Sequence, residues 1–374
     1  MTQRSRRFRR TAIAVLGVSS LVLAACGGDD DEPADEPAEA EEPTEEPAEE
    51  PAEEPAEEPA EDAAEEPADE PTEEPAEGET VQIALVAPSA INDLAFTQSM
   101  YDSLERVAET RDISIDVSDG LFVVEDAGAA IRGYAEDGYD LVIAHGTQFG
   151  GPLAEIAPDF PEVSFMWGTS DDTQGLDNVF AYTVRSDEGG YVNGMLAAQI
   201  TESGTIGVVG PIDAGDAALY VDGFEAGAAA QDPAVTVNVN WIESFSDVAL
   251  AAEAATSHIS NGADVLTGTA QMVVGATGVA QQEGVPWFGT QSNQTPLGED
   301  IVVASQVYHW EVVLEPILDQ IAAGTLGGEV YTLTLENGGL VIEFNDAFGL
   351  DEAILAAAEE TIAALTSGEL TTGL

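Results

Sequence analysis

From Thr80 onward, short apolar runs alternate with segments of helical periodicity, and this alternation restricts the possible folds more than any other feature of the chain. Buried strands that alternate with helices are typical of βαβ units, whose strands form a parallel sheet. The first series of this kind predicts strands at 81–86, 113–117, 141–144, 163–167 and 179–183, with helices at 93–109 and 127–137.

A second series of the same kind follows Ser186. Two parallel-sheet units of about 100 residues each have the usual size of domains, so we predict an α/β protein of two Rossmann-like lobes. The lobes would be joined by a hinge that the chain crosses more than once, and a β-ribbon is predicted over 330–344. Because ligands of open α/β sheets lie beyond the carboxyl ends of the strands, two facing sheets would share one cleft. The predicted first lobe comprises residues 80–184 and 303–328, and the second comprises residues 185–302 and 329–374.

The amino-terminal region has the features of an export segment. Five arginines within residues 1–10 precede an apolar stretch of 14 residues, which is too short to span a bilayer and is typical of a secretory signal. The stretch ends in Leu-Ala-Ala-Cys, which resembles the lipobox of bacterial lipoproteins. We therefore predict a signal peptide over 1–25, lipidation of Cys26 and anchoring to the outer face of the cell membrane. The general and the twin-arginine export routes both remain open.

Residues 26–79 repeat Glu-Glu-Pro-Ala and carry 27 acidic side chains with no basic one. Such a segment lacks the apolar surface that would offset its ordering entropy, so we expect an extended, disordered stalk. The other 45 of the 72 acidic residues lie in residues 80–374. The chain contains no lysine, so the only basic side chains there, apart from histidine, are four arginines. This surface repels phosphate groups, and nucleic acid is therefore excluded as a partner.

Several classes of enzyme are excluded by what the sequence lacks. A P-loop and a pyridoxal phosphate enzyme each need a lysine, and no Gly-x-Gly-x-x-Gly motif for a dinucleotide is present. The one cysteine is assigned to the lipid and no His-Glu-x-x-His motif occurs, so we predict neither a metal site nor a cofactor. No serine-nucleophile motif accompanies the three histidines. We therefore expect a binding protein and not an enzyme.

Five segments between Val81 and Val341 resemble the basic membrane protein family of receptors, which includes purine nucleoside receptors and related nucleobase-binding lipoproteins. The resemblance lies in the order and spacing of Ile91 to Phe96, Asp140 to Thr147, Phe224 to Gly227, Glu243 to Asp247 and Asn261 to Val265. It implies a periplasmic-binding-protein type I fold with three crossovers, in which a purine-type ligand is enclosed between the lobes.

The resemblance also implies which residues bind the ligand. It assigns hydrogen bonding of the base to Asn92 and Asp93 and stacking to Phe96. The other residues that it places against the ligand are Gly146, Thr147, Gln271, Gln291, Asn293 and Trp310.

The residues themselves leave alternatives open. Asn92 and Asp93 lie between a strand and a helix, where the usual role is helix N-capping, and Phe96 can be an ordinary core residue. Gln291 and Asn293 stand where nucleoside receptors of the family have an acidic pair that holds ribose. The choice between a nucleobase and a nucleoside therefore stays open.

Together these features predict an extracytoplasmic lipoprotein that binds a purine nucleobase or nucleoside by closing its lobes and delivers it to the permease of an ABC importer. Three alternatives remain. The protein can be a receptor for a sugar or another small polar solute, a signalling sensor, or a hydrolase that uses two of its many carboxylates.

Overall fold

A computed structural model describes residues 80–374, and the predicted signal peptide, Cys26 and the stalk at 26–79 lie outside the described residues. Residues 80–374 form two six-stranded sheets. Their strands are β1 (Val81–Val86), β2 (Ile113–Ser118), β3 (Leu141–His145), β4 (Ser164–Gly168), β5 (Val179–Val184), β6 (Thr205–Gly210), β7 (Thr236–Trp241), β8 (Val265–Gly268), β9 (Trp287–Gln291), β10 (Val302–Tyr308), β11 (Val330–Leu333) and β12 (Leu340–Phe344). The α-helices are α1 (Phe96–Ala108), α2 (Val124–Glu136), α3 (Gly150–Ile156), α4 (Ser186–Ile200), α5 (Gly215–Gln231), α6 (Val248–Ser260), α7 (Val273–Glu283), α8 (Glu311–Ala322) and α9 (Glu352–Thr366).

The strand orders define two lobes. The first sheet has the order β11-β5-β4-β3-β1-β2 and is parallel throughout. The second has the order β12-β10-β9-β8-β6-β7, and its one antiparallel pair is β10 with β12. Central strands such as β3 and β9 are buried at every position because both faces of a parallel sheet are covered. The prediction of a two-lobed parallel α/β fold is confirmed.

Two helices were missed in the sequence analysis. Helix α3 begins with Gly150 and Gly151 followed by Pro152, a sequence that favours a turn. Helix α7 contains Gly275 and Gly278, and each glycine costs about 1 kcal/mol relative to alanine inside a helix. Both helices form because packing against a sheet overrides weak local preference.

The structure corrects the predicted lobe boundaries at two strands. Strand β10 lies in residues 303–328, which were assigned to the first lobe, but it pairs with β9 and belongs to the second sheet. Strand β11 lies in residues 329–374, which were assigned to the second lobe, but it pairs with β5 in the first sheet. The predicted β-ribbon over 330–344 is therefore wrong. An apolar run predicts a strand but not the strand with which it pairs, and that pairing decides the lobe.

The chain passes between the sheets three times, at Arg185, between Tyr308 and Glu311, and between Leu333 and Leu340. The first passage is held by an ion pair between the partly exposed Arg185 and the buried Asp187, in which Arg185 donates two hydrogen bonds of 2.8 and 2.7 Å. Burial alone would raise the pKa of Asp187, but the bonds from Arg185 and from the Thr372 hydroxyl outweigh it and hold the pKa below its usual value. The hinge is thus fixed by a charged pair whose partners satisfy one another.

Helices α4 and α5 of the second lobe pack with their backbones in close contact. A Cβ atom at Gly194 would lie 2.0 Å from the carbonyl oxygen of Phe224, and one at Gly227 would lie equally close to that of Tyr191. No side chain fits into either gap. The absence of side chains at these two positions is therefore a condition for the packing of the second lobe.

We predict that Gly194→Ala lowers the free energy of unfolding by about 1–3 kcal/mol, because the added methyl group forces α4 and α5 apart. Gly133→Ala in α2 is the matched control, since no atom lies within 4 Å of the added methyl group. That control should raise stability by about 0.5–1 kcal/mol. Urea denaturation measures both changes, and equal effects of the two substitutions would contradict the packing.

Candidate ligand-binding cleft

A cleft of about 280 Å³ lies where the carboxyl ends of the two sheets meet. Its walls are built from the segments that follow β1, β2, β3 and β4 in the first lobe and β6, β7, β8 and β9 in the second. This is the position at which parallel α/β sheets bind ligands. The lining residues are Pro88, Phe96, Phe122, Gly146, Thr147, Gln148, Thr169, Ile212, Ala214, Gly215, Asp216, Ala217, Phe245, Ala270, Gln271 and Gln291.

Phe96 forms part of the first-lobe wall and is fixed from behind by His145. The two rings stack with their centroids 3.8 Å apart and their planes within 10°. His145 ends β3 and is held by the Tyr182 hydroxyl at 2.6 Å and the Phe96 carbonyl oxygen at 3.0 Å. One face of Phe96 is thus covered, and the ring can offer only its other face to a ligand.

His145 is neutral because it is completely buried. Burial lowers the pKa of its imidazole from 6.5 to about 3, although the hydrogen bond to the Phe96 carbonyl opposes the shift. A neutral imidazole has one donor and one acceptor nitrogen, which suits a carbonyl oxygen on one side and a hydroxyl on the other. His145 therefore serves to position Phe96.

Asp93 organises the first turn of α1. Its carboxylate accepts hydrogen bonds from the Ser89 hydroxyl at 2.6 Å and from the backbone N–H groups of Ala95, Thr97 and Gln98 at 2.8 to 3.2 Å. Burial raises its pKa and these bonds oppose the rise. Four donors occupy the roughly four acceptor positions of a carboxylate. The arrangement favours the capping alternative, in which Asp93 places Phe96 at the start of the helix.

The cleft brings together five of the nine residues predicted to bind a ligand. They are Phe96, Gly146, Thr147, Gln271 and Gln291. Their contacts with a ligand remain predictions.

The other four predicted residues do not line the cleft. Asn92 is exposed, and the carboxylate of Asp93 accepts hydrogen bonds from neighbouring backbone N–H groups such as that of Ala95. Asn293 is exposed and donates to Glu343 at 2.6 Å. Trp310 is fully buried behind Phe96, which it meets edge-on at 6.5 Å, while its Nε1 donates to Ser99.

The second-lobe wall carries strained backbone and unsatisfied side chains. Ala270 and Gln291 adopt left-handed φ angles of 76° and 70°, a conformation that costs a non-glycine residue about 1–3 kcal/mol. The Oε1 atoms of Gln271 and Gln291 are buried and accept no hydrogen bond from the described residues. Strain and unpaired polar atoms at one site are typical of a surface that binds a ligand.

Eleven of the sixteen lining residues were not predicted to bind a ligand, among them Phe122, Phe245 and Asp216. Phe122 and Phe245 follow β2 and β7 on opposite lobes, and each is 38% exposed. Asp216 lies in the first turn of α5, the helix that follows β6. The position of Asp216 after a buried strand is the one sequence signal that could have identified it. That signal is weak because residues 80–374 contain 45 acidic side chains.

Hydrogen bonds connect the lobes around the cleft. The Thr169 hydroxyl of the first lobe donates to Asp216 Oδ1 of the second at 3.2 Å. Ser292 and Gln294 of the second lobe donate to the carbonyl oxygens of Ala95 and Leu94 at 2.8 and 3.1 Å. These bonds require the lobes to be close together.

The cleft contains no positive charge from the described residues. Each arginine of residues 80–374 forms a salt bridge elsewhere, with Glu311, with Glu315 and Asp319, with Asp159 or with Asp187. Within the same residues, no group of three or more metal-ligating side chains occurs. The helices of this part of the chain are all too short or too polar to cross a membrane.

Two α/β lobes that enclose one polar and aromatic cleft are typical of solute-binding proteins. The chain belongs to the family of PnrA-like ABC transporter substrate-binding proteins, whose profile (Bmp) matches residues 80–362. The resemblance to basic membrane proteins is thereby confirmed, and so is the predicted class of ABC transporter substrate-binding protein.

Named relatives share about a quarter of their residues with this chain. A purine-binding protein of Brucella abortus is 27% identical over 245 residues, which are 66% of this chain and 69% of that protein. The transcriptional activator protein Med of Bacillus subtilis is 25% identical over 263 residues, 70% of this chain and 81% of its own. The solved structure of an ABC transporter solute-binding protein from Conexibacter woesei is similar with a TM-score of 0.65 and 26% identity, over 78% of this chain and 98% of that one.

We predict that His145 makes the protein acid-sensitive. The unfolded chain takes up a proton on this residue below pH 6.5 and the folded chain does so only near pH 3, so protonation favours unfolding between these values. The difference in unfolding free energy between the wild type and His145→Gln should therefore fall by about 1.4 kcal/mol per pH unit below pH 6. Denaturation at several pH values tests this, and a pH-independent difference would contradict a neutral, buried His145.

Proposed function

We propose that this protein is the extracytoplasmic receptor of an ABC importer and that it binds a purine nucleobase or nucleoside between its lobes. The observation that supports this ligand class is the presence of aromatic rings on both walls, Phe96 and Phe122 from the first lobe and Phe245 from the second. A flat base that stacks on an aromatic ring gains about 1–3 kcal/mol. The similarity to a purine-binding protein supports the same class.

The polar groups of the cleft favour a ligand without phosphate. The carboxamides of Gln271 and Gln291 and the hydroxyls of Thr147 and Thr169 both donate and accept hydrogen bonds, as the edges of a base require. A phosphate group would meet the carboxylate of Asp216 with no cation to offset the repulsion. Nucleotides should therefore bind much more weakly than nucleosides or bases.

Ligand capture in this proposal is closure of the two lobes. A ligand that contacts both walls binds the closed arrangement better than the open one and shifts the population toward it. The bond between Thr169 and Asp216 and that between Ser292 and the Ala95 carbonyl add to the closed state. The ligand itself stays chemically unchanged, and we propose no catalytic activity.

The permease and the membrane complete the proposed set of partners. The closed receptor would present both lobes to the permease of the importer. We propose that a lipid on Cys26 holds the protein at the outer face of the cell membrane, with residues 26–79 as the spacer between the lipid and the lobes. These proposals rest on the lipobox and the composition of the segment.

The ligand class is tested by titration calorimetry of the purified protein with adenosine, guanosine, adenine, hypoxanthine, adenosine monophosphate, ribose and glucose. We expect at least one base or nucleoside to bind and the monophosphate and both sugars to leave no measurable heat of binding. Binding of a sugar without any purine would contradict the proposed ligand while leaving the receptor class intact.

We predict that Phe96→Leu weakens binding of the preferred purine by about 1–3 kcal/mol, because leucine fills much of the volume but offers no flat face. The matched control is Phe224→Leu, which changes a fully buried phenylalanine away from the cleft. The control should lower stability and leave affinity unchanged. The two dissociation constants decide the matter, and a loss of affinity shared by both variants would argue against stacking on Phe96.

A further inference from the structure

Three side chains with hydrogen-bonding groups line the second-lobe wall of the cleft. They are Asp216, Gln271 and Gln291. Gln291 is only 3% exposed, and the described residues donate no hydrogen bond to Oε1 of either glutamine. Leaving a buried acceptor unpaired costs about 1–3 kcal/mol, so a side-chain rearrangement that gives either oxygen a donor would stabilise this wall.

The two glutamines are adaptable and Asp216 is not. A carboxamide can turn to present either its oxygen or its NH₂ group, so Gln271 and Gln291 suit a donor or an acceptor on the ligand. An ionised carboxylate can only accept. Among the lining residues of the described chain, Asp216 also has the only charged side chain. It therefore sets the hydrogen-bonding character that a ligand must have at this wall.

The carboxylate of Asp216 retains capacity for a ligand. Burial raises the pKa of Asp216, and hydrogen bonds from the Thr169 hydroxyl to Oδ1 at 3.2 Å and from the backbone N–H groups of Asp216 and Ala217 oppose the rise and favour the ionised form. Within residues 80–374 no side chain donates to Oδ2, and no arginine neutralises the charge, since all four form salt bridges elsewhere. A ligand with two adjacent hydrogen-bond donors would donate one bond to each oxygen of the Asp216 carboxylate.

We propose that Asp216 determines specificity by selecting ligands that carry a pair of adjacent hydrogen-bond donors. This inference rests on the proposed function. Two parts of a purine ligand offer such a pair: an amino group beside a ring N–H, as in guanine, and the two neighbouring hydroxyls of ribose. The second source would supply, from α5, the carboxylate for ribose that Gln291 and Asn293 cannot supply after β9.

The test compares guanosine, inosine and 2′-deoxyguanosine on the wild type and on Asp216→Asn by titration calorimetry. Inosine lacks the amino group, and 2′-deoxyguanosine lacks one hydroxyl of the pair. The wild type should prefer guanosine to one of them by between about 10-fold and about 150-fold, the range for hydrogen bonds to a charged group. Preference over inosine identifies the amino and ring N–H pair, and preference over 2′-deoxyguanosine identifies the hydroxyl pair. Asp216→Asn should abolish whichever preference is found.

Asp213→Asn is the matched control, because Asp213 is an exposed acid in the loop just before α5 and does not line the cleft. It should keep both the affinity and the preference of the wild type. Thermal unfolding of each variant is recorded first, and Asp216→Ser replaces Asp216→Asn if the latter does not fold.

Two results overturn the inference and are distinguishable. If the wild type binds a purine but shows neither preference, or if Asp216→Asn retains it, Asp216 does not select the ligand and the proposed function stands. If the wild type binds none of the three nucleosides or their free bases, the proposed function fails, and this inference fails with it.

Discussion

The direction of the strands is the constraint on which the rest of this structure depends. Within residues 80–374 every strand pair except β10 with β12 is parallel, so the strands that build the cleft all end at one edge of their sheet. The ends of four strands of each sheet and the segments after them then meet at one place, and together with the first residues of α1 and α5 they supply the walls of the cleft. Loops that are far apart in the sequence form a single binding surface because the strands that precede them end at the same edge of each sheet.

The first-lobe wall illustrates how this surface is made rigid. Asp93 fixes the start of α1 with its four hydrogen bonds, and Phe96 is the first residue of that helix. Behind Phe96, His145 covers one face of the ring and Trp310 meets its edge. A charged histidine would be too costly in this position, which is why its pKa falls to about 3. Residues that do not line the cleft thus determine the orientation of one that does.

The second-lobe wall differs in character, since strained backbone at Ala270 and Gln291 and unpaired carboxamides lie there. A wall of this kind gains most when a ligand completes it. Two such walls on separate lobes suit a clamp, because a ligand that contacts both favours the arrangement in which the lobes are close together.

Strand positions were predictable from the sequence because each buried strand is a short apolar run. The lobes to which β10 and β11 belong were not predictable. Strand β10 pairs with β9 and β11 pairs with β5, and such long-range pairing cannot be deduced from the residues of one strand. At the site, Phe96, Gly146 and Gln291 follow from the resemblance and their places after strands. Asp216 could not be recognised among 45 acids, and the burial of Trp310 depends on its contact with Ser99 in a distant helix.

The most direct test of this account is mass spectrometry of the small molecule that co-purifies with the protein and is released by mild denaturation. We expect a compound with a purine ring and no phosphate, because the residues that line the cleft include aromatic rings on both lobes and no cation. Recovery of a sugar, or of a phosphorylated compound in stoichiometric amount, would contradict it.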